Sequence, residues 1–326
     1  DAGFLNNRIN FTFDIYSRRN YDLIGVINTQ GTGGEPRKYG NVAKMKSNGV
    51  EIALNTVNIK TKDFTWTTDL IYSHMHNEVT ELNTLNRMYD YISGSGFTMP
   101  GYPQRSLFSI PFMGLNNEGL PTFLDQDGNV SVTGINMQEY DPERLKFLKY
   151  EGPVDPTDVG SLGNVFRYKG VTLNLFITYS FGNVVRLDPV FSSSYSDLTA
   201  TPKEFKDRWV KPGDENFTNV PVIASKQQLN NIAYLSTAYQ AYNYSTERVA
   251  KGDFIRMKEI SLAYEFPKSI TQPLRLSNLS LKLMATNLFL IYADKKLNGQ
   301  DPEFFNAGGV ANPMPKQFTL TLKLGI

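Results

Sequence analysis

Gln317-Phe318-Thr319-Leu320-Thr321-Leu322-Lys323-Leu324-Gly325-Ile326 alternates strictly between apolar and polar side chains. Successive side chains of an extended strand point to opposite faces, so Phe318, Leu320, Leu322, Leu324 and Ile326 share one face. Gln317, Thr319, Thr321 and Lys323 share the other. The same pattern recurs upstream. Ile9, Phe11, Phe13 and Ile15 oppose Arg8, Asn10, Thr12 and Asp14. Val50, Ile52 and Leu54 oppose Glu51, Ala53 and Asn55, and Phe64, Trp66, Leu70 and Tyr72 oppose Thr65, Thr67, Asp69 and Ser73. Leu173, Leu175, Ile177, Tyr179 and Phe181 oppose Thr172, Asn174, Thr178 and Ser180, and Leu279, Leu281 and Leu283 oppose Ser280 and Lys282. In 254–266 the apolar parity slips, from Ile255 and Met257 to Leu262, Tyr264 and Phe266, which calls for a β-bulge near Lys258-Glu259. A weaker strand, 162–167, completes a count of about eight.

The connections alternate in length. Residues 60–63 and Tyr168-Lys169-Gly170 are short turns and 267–277 is moderate, whereas 20–47, 76–160, 182–252 and 293–316 are long, polar and rich in Gly and Pro. Loops of that length are rare in a compact soluble domain. Short turns at one end and long loops at the other are the habit of bacterial outer-membrane barrels. With the long loops outside the cell, eight strands bring the chain back to the periplasmic side at Ile326. Phe64 and Trp66 then lie near the short-turn end and Tyr72 near the long-loop end, where the two interfacial aromatic girdles belong.

Composition agrees. Aromatic residues make up 13% of the 326 residues, with 18 Tyr and 21 Phe, which suits such girdles. Cysteine is absent, so disulfide staples and thiolate metal sites are excluded. A net charge of +1 gives no pull toward nucleic acid or anionic lipid. No apolar run reaches the ~18 residues of a membrane helix. The mean hydropathy of −0.33 says little about a barrel, because only every second strand residue meets lipid. The chain opens at Asp1 without Met and reads as one that begins mid-protein.

The motifs carry a family resemblance along nearly the whole chain. Phe4-Leu5-Asn6-Asn7-Arg8-Ile9, Lys46-Ser47-Asn48-Gly49-Val50-Glu51 and the stretch from Asp155-Pro156 to Gly163-Asn164-Val165-Phe166-Arg167-Tyr168-Lys169-Gly170 resemble late barrel phrases of SusC/RagA-type TonB-dependent transporters. Arg208-Trp209 with Pro212-Gly213-Asp214-Glu215-Asn216 is similar to a long late loop of that family. Gly252-Asp253-Phe254-Ile255-Arg256-Met257-Lys258 and Ser261-Leu262-Ala263-Tyr264 resemble its penultimate inward strand. Thr286-Asn287-Leu288-Phe289, Gly299-Gln300-Asp301-Pro302-Glu303 and Pro315-Lys316-Gln317-Phe318-Thr319-Leu320 resemble its ending. The chain departs from the family in finishing on Ile326 rather than an aromatic residue.

The resemblance implies an all-β fold: an antiparallel transmembrane β-barrel, of which residues 1–326 supply about eight of 22 strands, with long extracellular loops. The plug, the TonB-interaction segment and the remaining strands would lie upstream. An open sheet of eight strands would leave two unpaired edges in lipid, so the wall needs that upstream part. It further implies the outer membrane of a Gram-negative, Bacteroidetes-type cell, nutrient import without catalysis, and a SusD-type surface lipoprotein as partner. Oligosaccharide is the first expectation for cargo and peptide the second. Two other classes stay open: a soluble all-β glycan-active enzyme, and a passive outer-membrane channel or adhesin.

Candidate site residues follow. Asn174, Thr178, Thr319 and Thr321 are polar strand positions that would line the lumen. Tyr89, Tyr91, Tyr234, Tyr239, Tyr242 and Tyr244 crowd the long loops, where aromatic faces stack on sugars or bury peptide side chains, or simply pack loop on loop. His74 and His76 share a strand face without an evident acidic partner, and a loop-base pair explains them better than a metal site. Asp125-Gln126-Asp127-Gly128-Asn129 begins like a calcium loop, but its twelfth place is Asn136 rather than Glu, so an Asp-Gly turn is the expectation and no cofactor is. Gly31-Thr32-Gly33-Gly34 lacks the Lys-Ser/Thr and helix of a phosphate loop, and Gly94-Ser95-Gly96 lacks the context of a nucleophile elbow.

Overall fold

The protein is described from a computed structural model, which covers residues 1–28, 32–34, 37–84, 86–93, 96–191, 202–304 and 315–326. Four strands come first: β1 (Ala2–Phe4), β2 (Ile9–Asn28), β3 (Arg37–Lys60) and β4 (Phe64–Leu82). A folded insertion follows, with helix α1 (Met88–Ile92) and strands β5 (Ser106–Ser109), β6 (Phe112–Leu115), β7 (Pro121–Leu124), β8 (Val130–Ser131) and β9 (Lys149–Pro153). β10 (Asp158–Tyr168) and β11 (Val171–Phe181) make the next hairpin. A second insertion carries β12 (Val184–Arg186), α2 (Lys226–Asn231), α3 (Leu235–Asn243) and β13 (Val249–Lys251). β14 (Phe254–Glu265), α4 (Lys268–Thr271), β15 (Asn278–Ala293) and β16 (Gln317–Gly325) complete the chain.

One antiparallel sheet of nine strands runs in the order β1-β2-β3-β4-β10-β11-β14-β15-β16, each long strand beside its neighbour in sequence. The expected eight strands are all present, and the short β1 is added. It folds back on β2 through Leu5, Asn6 and Asn7, all in left-handed conformations, which Asn tolerates better than most residues. The β10–β11 turn needs Gly170, where a Cβ would stand 2.5 Å from the Glu265 carbonyl oxygen. The expected bulge is found: Met257 pairs with Phe289 and Glu259 with Thr286, leaving Lys258 out of register, while Asn287 opposite takes a φ of 53°.

Two expectations are corrected. Residues 20–47 are not mainly loop: β2 and β3 stay paired up to Asn28 and Arg37, making a hairpin that extends beyond the other strands. Likewise β4 continues to Leu82, because residues 76–82 pair with the prolonged β3. Broken alternation hid these extensions: Leu23 and Ile24 are adjacent and the register shifts between them, so no single face reads as apolar.

Register partners assign every side chain to one of two faces. On the first, Phe64, Tyr168, Val171, Tyr264, Leu281 and Leu322 form a row across neighbouring strands. Two residues further on comes Trp66, Phe166, Leu173, Leu262, Leu283 and Leu320. Near the long-loop end runs Phe13, Ile52, Tyr72, Gly160, Tyr179, Ile255 and Tyr292. Aromatic rows thus bracket an aliphatic band. Phe64 and Tyr72 are roughly 27 Å apart along β4 at ~3.4 Å per residue, or about 20 Å of height at a tilt of ~40°. The other face is polar, as in the row Thr65, Arg167, Thr172, Ala263, Lys282 and Thr321.

Nothing described covers the apolar face. Ile15 is 73% exposed and Leu320 68% exposed. A contiguous apolar wall of this size would be a severe liability in water and is the natural surface in hydrocarbon. The well-buried side chains lie elsewhere, mainly in the two insertions, whose elements pack together as a cap around Met88, Ile92, Ile110, Phe123, Leu235 and Tyr242.

Candidate functional site

The cap forms because its segments carry local signals for structure and a shared apolar core. Ser225 accepts from the Gln228 N–H and Gln228 returns the bond, a capping box that starts α2. In α3, Leu235, Ala238, Tyr239 and Tyr242 recur at helical spacing and turn one stripe into the core. Tyr242 packs edge-on against Phe112 and Phe191, with centroids 5.5 and 5.6 Å away, and Tyr239 against Phe191 at 4.8 Å. Tyr239 donates its hydroxyl to the Val222 carbonyl at 2.5 Å. Burial pushes the Tyr242 hydroxyl well above the usual tyrosine range, with the nearby Arg248 acting against it.

Arg186 ties the cap to the strands. It leaves β11 by way of β12 and is half-buried, donating to the carbonyls of Phe108 at 2.6 Å, Ser245 at 3.2 Å and Ile92 at 3.4 Å, and to the Ser109 hydroxyl at 3.1 Å. Burial draws its pKa down to about 10, against the pull of Glu151 and Tyr244, so it stays cationic near neutrality. A second tie runs over the polar face of the sheet. Arg256 on β14 pairs with Asp301 and, at 3.2 Å, with Glu303, bringing the β15–β16 connection across the strand ends.

A hollow of about 630 Å³ opens on the cap between α1, the loop segment 133–138 and α3. Its walls are mostly aromatic, amide and hydroxyl groups: Tyr89, Tyr234, Asn136, Gln138, Thr237 and Gln240. Arg87 adds a positive charge that is held in place. Its side chain donates to Gln138 Oε1 at 3.1 Å and to Asp90 Oδ1 at 3.2 Å, while its backbone N–H donates to Asp90 Oδ2 at 2.8 Å. Burial acts to raise the Asp90 pKa, but the bonds from Arg87 outweigh it and hold the carboxyl below its ordinary value.

The tyrosines singled out in the sequence therefore separate. Tyr89 and Tyr234 line the hollow, with Tyr234 prominently exposed. Tyr244 stands edge-on to Tyr89 with centroids 5.9 Å apart, and burial pushes its hydroxyl up to about 12. Tyr91 packs against Phe97 and Phe108. Tyr239 and Tyr242 are buried in the cap core. Asn174, Thr178, Thr319 and Thr321 share the polar face: Asn174 and Thr319 lie in one row, Thr321 opposes Lys282, and Thr178 opposes Arg256. Asn174 also donates to Glu259 at 3.2 Å.

Arg87, Gln138, Gln240, Arg186 and Arg256 were not among the candidates. The apolar spacing over 235–242 and the Ser225-to-Gln228 box were legible signals of cap helices; nothing local marks the tethering arginines. His74 does have an acidic partner, contrary to expectation: Asp158, across the β4–β10 ladder, lies 2.8 Å from its Nδ1. Asp125 accepts the N–H groups of Asp127 at 3.0 Å and Asn129 at 2.9 Å, the anticipated Asp-Gly turn, here joining β7 to β8. Gly31, Gly94 and Ser95 lie outside the described residues.

No protein-family model matches the chain. Among curated proteins it is 25% identical to TonB-dependent receptor P39 of Formosa agariphila, over 96% of this chain and 33% of that protein. It is 26% identical to TonB-dependent receptor SusC of Bacteroides thetaiotaomicron, over 100% of this chain and 31% of that one. Among solved structures, the RagAB peptide transporter superposes with a TM-score of 0.72 at 22% identity, covering 99% of this chain and 34% of the other. The RagAB peptide importer in its open-open state gives a TM-score of 0.73. The chain spans about a third of the length of these relatives. The curated relatives are named TonB-dependent receptors, and the solved structures are described as a peptide transporter and importer. In sequence this chain is similar to curated TonB-dependent receptors, SusC among them, and in fold it matches the antiparallel β-strand wall and loops of RagAB.

Proposed function

We propose that the chain is the C-terminal part of the barrel of a TonB-dependent importer of nutrients, supplying wall strands and an extracellular cap. The observation that carries this is the division of the sheet into one largely apolar face, bracketed by aromatic rows and interrupted by Thr56, Thr68 and Asn164, and one largely polar face on which Arg256 tethers the β15–β16 connection. Asn174, Thr178, Thr319 and Thr321 would then line the lumen or meet a plug. Further strands would pair with the open edges of β2 and β16, which the linear strand order leaves at the two ends of the sheet apart from the short β1. A SusD-type lipoprotein would cover the cap, and the TonB contact would come from outside these residues.

For cargo, the hollow favours oligosaccharide. Tyr89 and Tyr234 offer ring faces, and Asn136, Gln138 and Gln240 offer amides that both donate and accept, as sugar hydroxyls require. A peptide is the second reading, supported by the likeness to RagAB, described as a peptide transporter. Titrating the whole transporter and its lipoprotein with matched panels of oligosaccharides and peptides tests the choice. Saturable binding of oligosaccharides alone, weakened by Tyr234→Ala, is expected. Binding of peptides alone overturns the glycan reading, and failure of whole cells to accumulate either class overturns import.

A further inference from the structure

Above the upper aromatic row, the outward face of β2, β3 and β4 changes character in successive steps. Ile15, Val50 and His74 are register partners, with Asp158 beside His74; next come Ser17, Asn48 and His76; next Arg19, Lys46 and Glu78. Apolar residues thus give way to hydroxyl, amide and imidazole groups, and then to cations. Ser17 is roughly 13 Å along the strand from Phe13 in the aromatic row, at ~3.3 Å per residue. That is the span in which a leaflet passes from acyl chain to headgroup. A hollow of about 440 Å³ occupies this transition, lined by Ile15, Ser17, Asn48, Val50, His74 and His76 together with Tyr16 and Gly49.

The lining offers donors and carries no carboxylate. The acids around it are largely engaged. Asp158 accepts from Tyr72 at 2.6 Å and Thr157 at 2.6 Å and faces His74 at 2.8 Å. Glu78 pairs with Lys46 at 2.9 Å, Glu81 with Lys44 at 2.8 Å, and Asp22 acts on Lys44. Arg19 lies directly across from Lys46, and like charges in that position repel. Lys46 has its carboxylate; Arg19 is exposed and has no partner among the described residues. An anion held between Arg19 and His76 would relieve the repulsion, and Ile15, Val50 and Phe13 below offer a track for an acyl chain.

We propose that this outward rim hollow binds a phosphate-bearing lipid of the outer leaflet, with Arg19, His76, Ser17 and Asn48 on the headgroup and Ile15 and Val50 under the chain. The assignment rests on the barrel reading, which places this face toward lipid, and is independent of cargo. Arg18 supplies a built-in control: it precedes Arg19 on β2, carries the same charge, and lies on the opposite face, over the Tyr16 ring at 4.4 Å.

The test uses the complete transporter in detergent micelles, with retained lipid read by native mass spectrometry and folding checked by heat-modifiability. Phosphatidic acid should be retained in preference to phosphatidylcholine. Arg19→Ala should weaken that retention about tenfold, the loss of one charge-assisted contact, while Arg18→Ala leaves it unchanged and Arg19→Lys restores most of it. Equal retention of the two lipids overturns the proposal. So does equal loss in both alanine variants, or suppression of retention by inorganic phosphate alone, which would mark a soluble-anion site. Uptake assays on the same variants keep the outcome separate from the import reading: Arg19→Ala can lose lipid while cargo still enters.

Discussion

Arg256 Nε lies 3.2 Å from Glu303 Oε2, and the same guanidinium holds Asp301, so one side chain on the polar face of β14 anchors the connection that follows β15. The Arg256 side chain is only 7% exposed and that of Asp301 12%. Enclosed charges of this kind are expensive to separate, because each would stand in low dielectric without its counter-charge.

Arg256→Ala should therefore release the loop. Removing one member of a buried pair costs about 3–5 kcal/mol, with the lower end expected because Glu303 is partly solvated. Hydrogen exchange and limited proteolysis should show new opening around 295–304 while the strands stay protected. Unchanged protection in that loop would deny the tether.

The two faces of β16 should respond oppositely to charge. Leu320→Arg in the aliphatic band should cost about 2–4 kcal/mol of barrel stability. Thr321→Arg, one residue along and facing the polar side beside Lys282, should be far milder. Urea titration of the folded barrel in lipid vesicles distinguishes them, and equal tolerance would reverse the assignment of faces.

Within the cap, Tyr242 and Tyr234 should separate stability from binding. Tyr242→Ala opens a cavity beside Phe112 and Phe191 and should cost about 3–5 kcal/mol, seen as cap melting before the barrel. Tyr234→Ala should change stability by no more than about 0.5 kcal/mol yet weaken cargo binding at the hollow. A stable Tyr242→Ala cap would contradict the packing described.

The Pro212-Gly213 turn should be reachable from outside intact cells. Gly213 has a φ of 103° at a bend, and Phe217 just beyond it is 91% exposed, so a short epitope inserted there disturbs little packing. Antibody labelling of unbroken cells is expected; labelling only after lysis would invert the topology.

Strand alternation was legible in the sequence because each side chain of the wall answers to a local choice between hydrocarbon and water, repeated every second residue. That is why Leu320 and Thr321, Ile177 and Thr178, and even the bulge at Lys258 could be assigned from residue order alone. Chain order also conveyed which hairpins pair, since short turns leave neighbouring strands no other partner. The cap was another matter. Tyr239 and Tyr234 read alike as loop aromatics, yet one is enclosed against Phe191 and the other open on the hollow. Helical spacing places Tyr239 in the apolar stripe of α3 and leaves Tyr234 at its cap, but the packing partner Phe191 lies tens of residues away and no local pattern encodes it. Arg186 is half-buried and Arg256 buried at positions where cations usually face water, and only the convergence of distant carbonyls on one and carboxylates on the other makes this tolerable. Local alternation thus determined the wall; the tertiary structure alone decided which loop residues are core, which are tethers, and which remain open to a ligand.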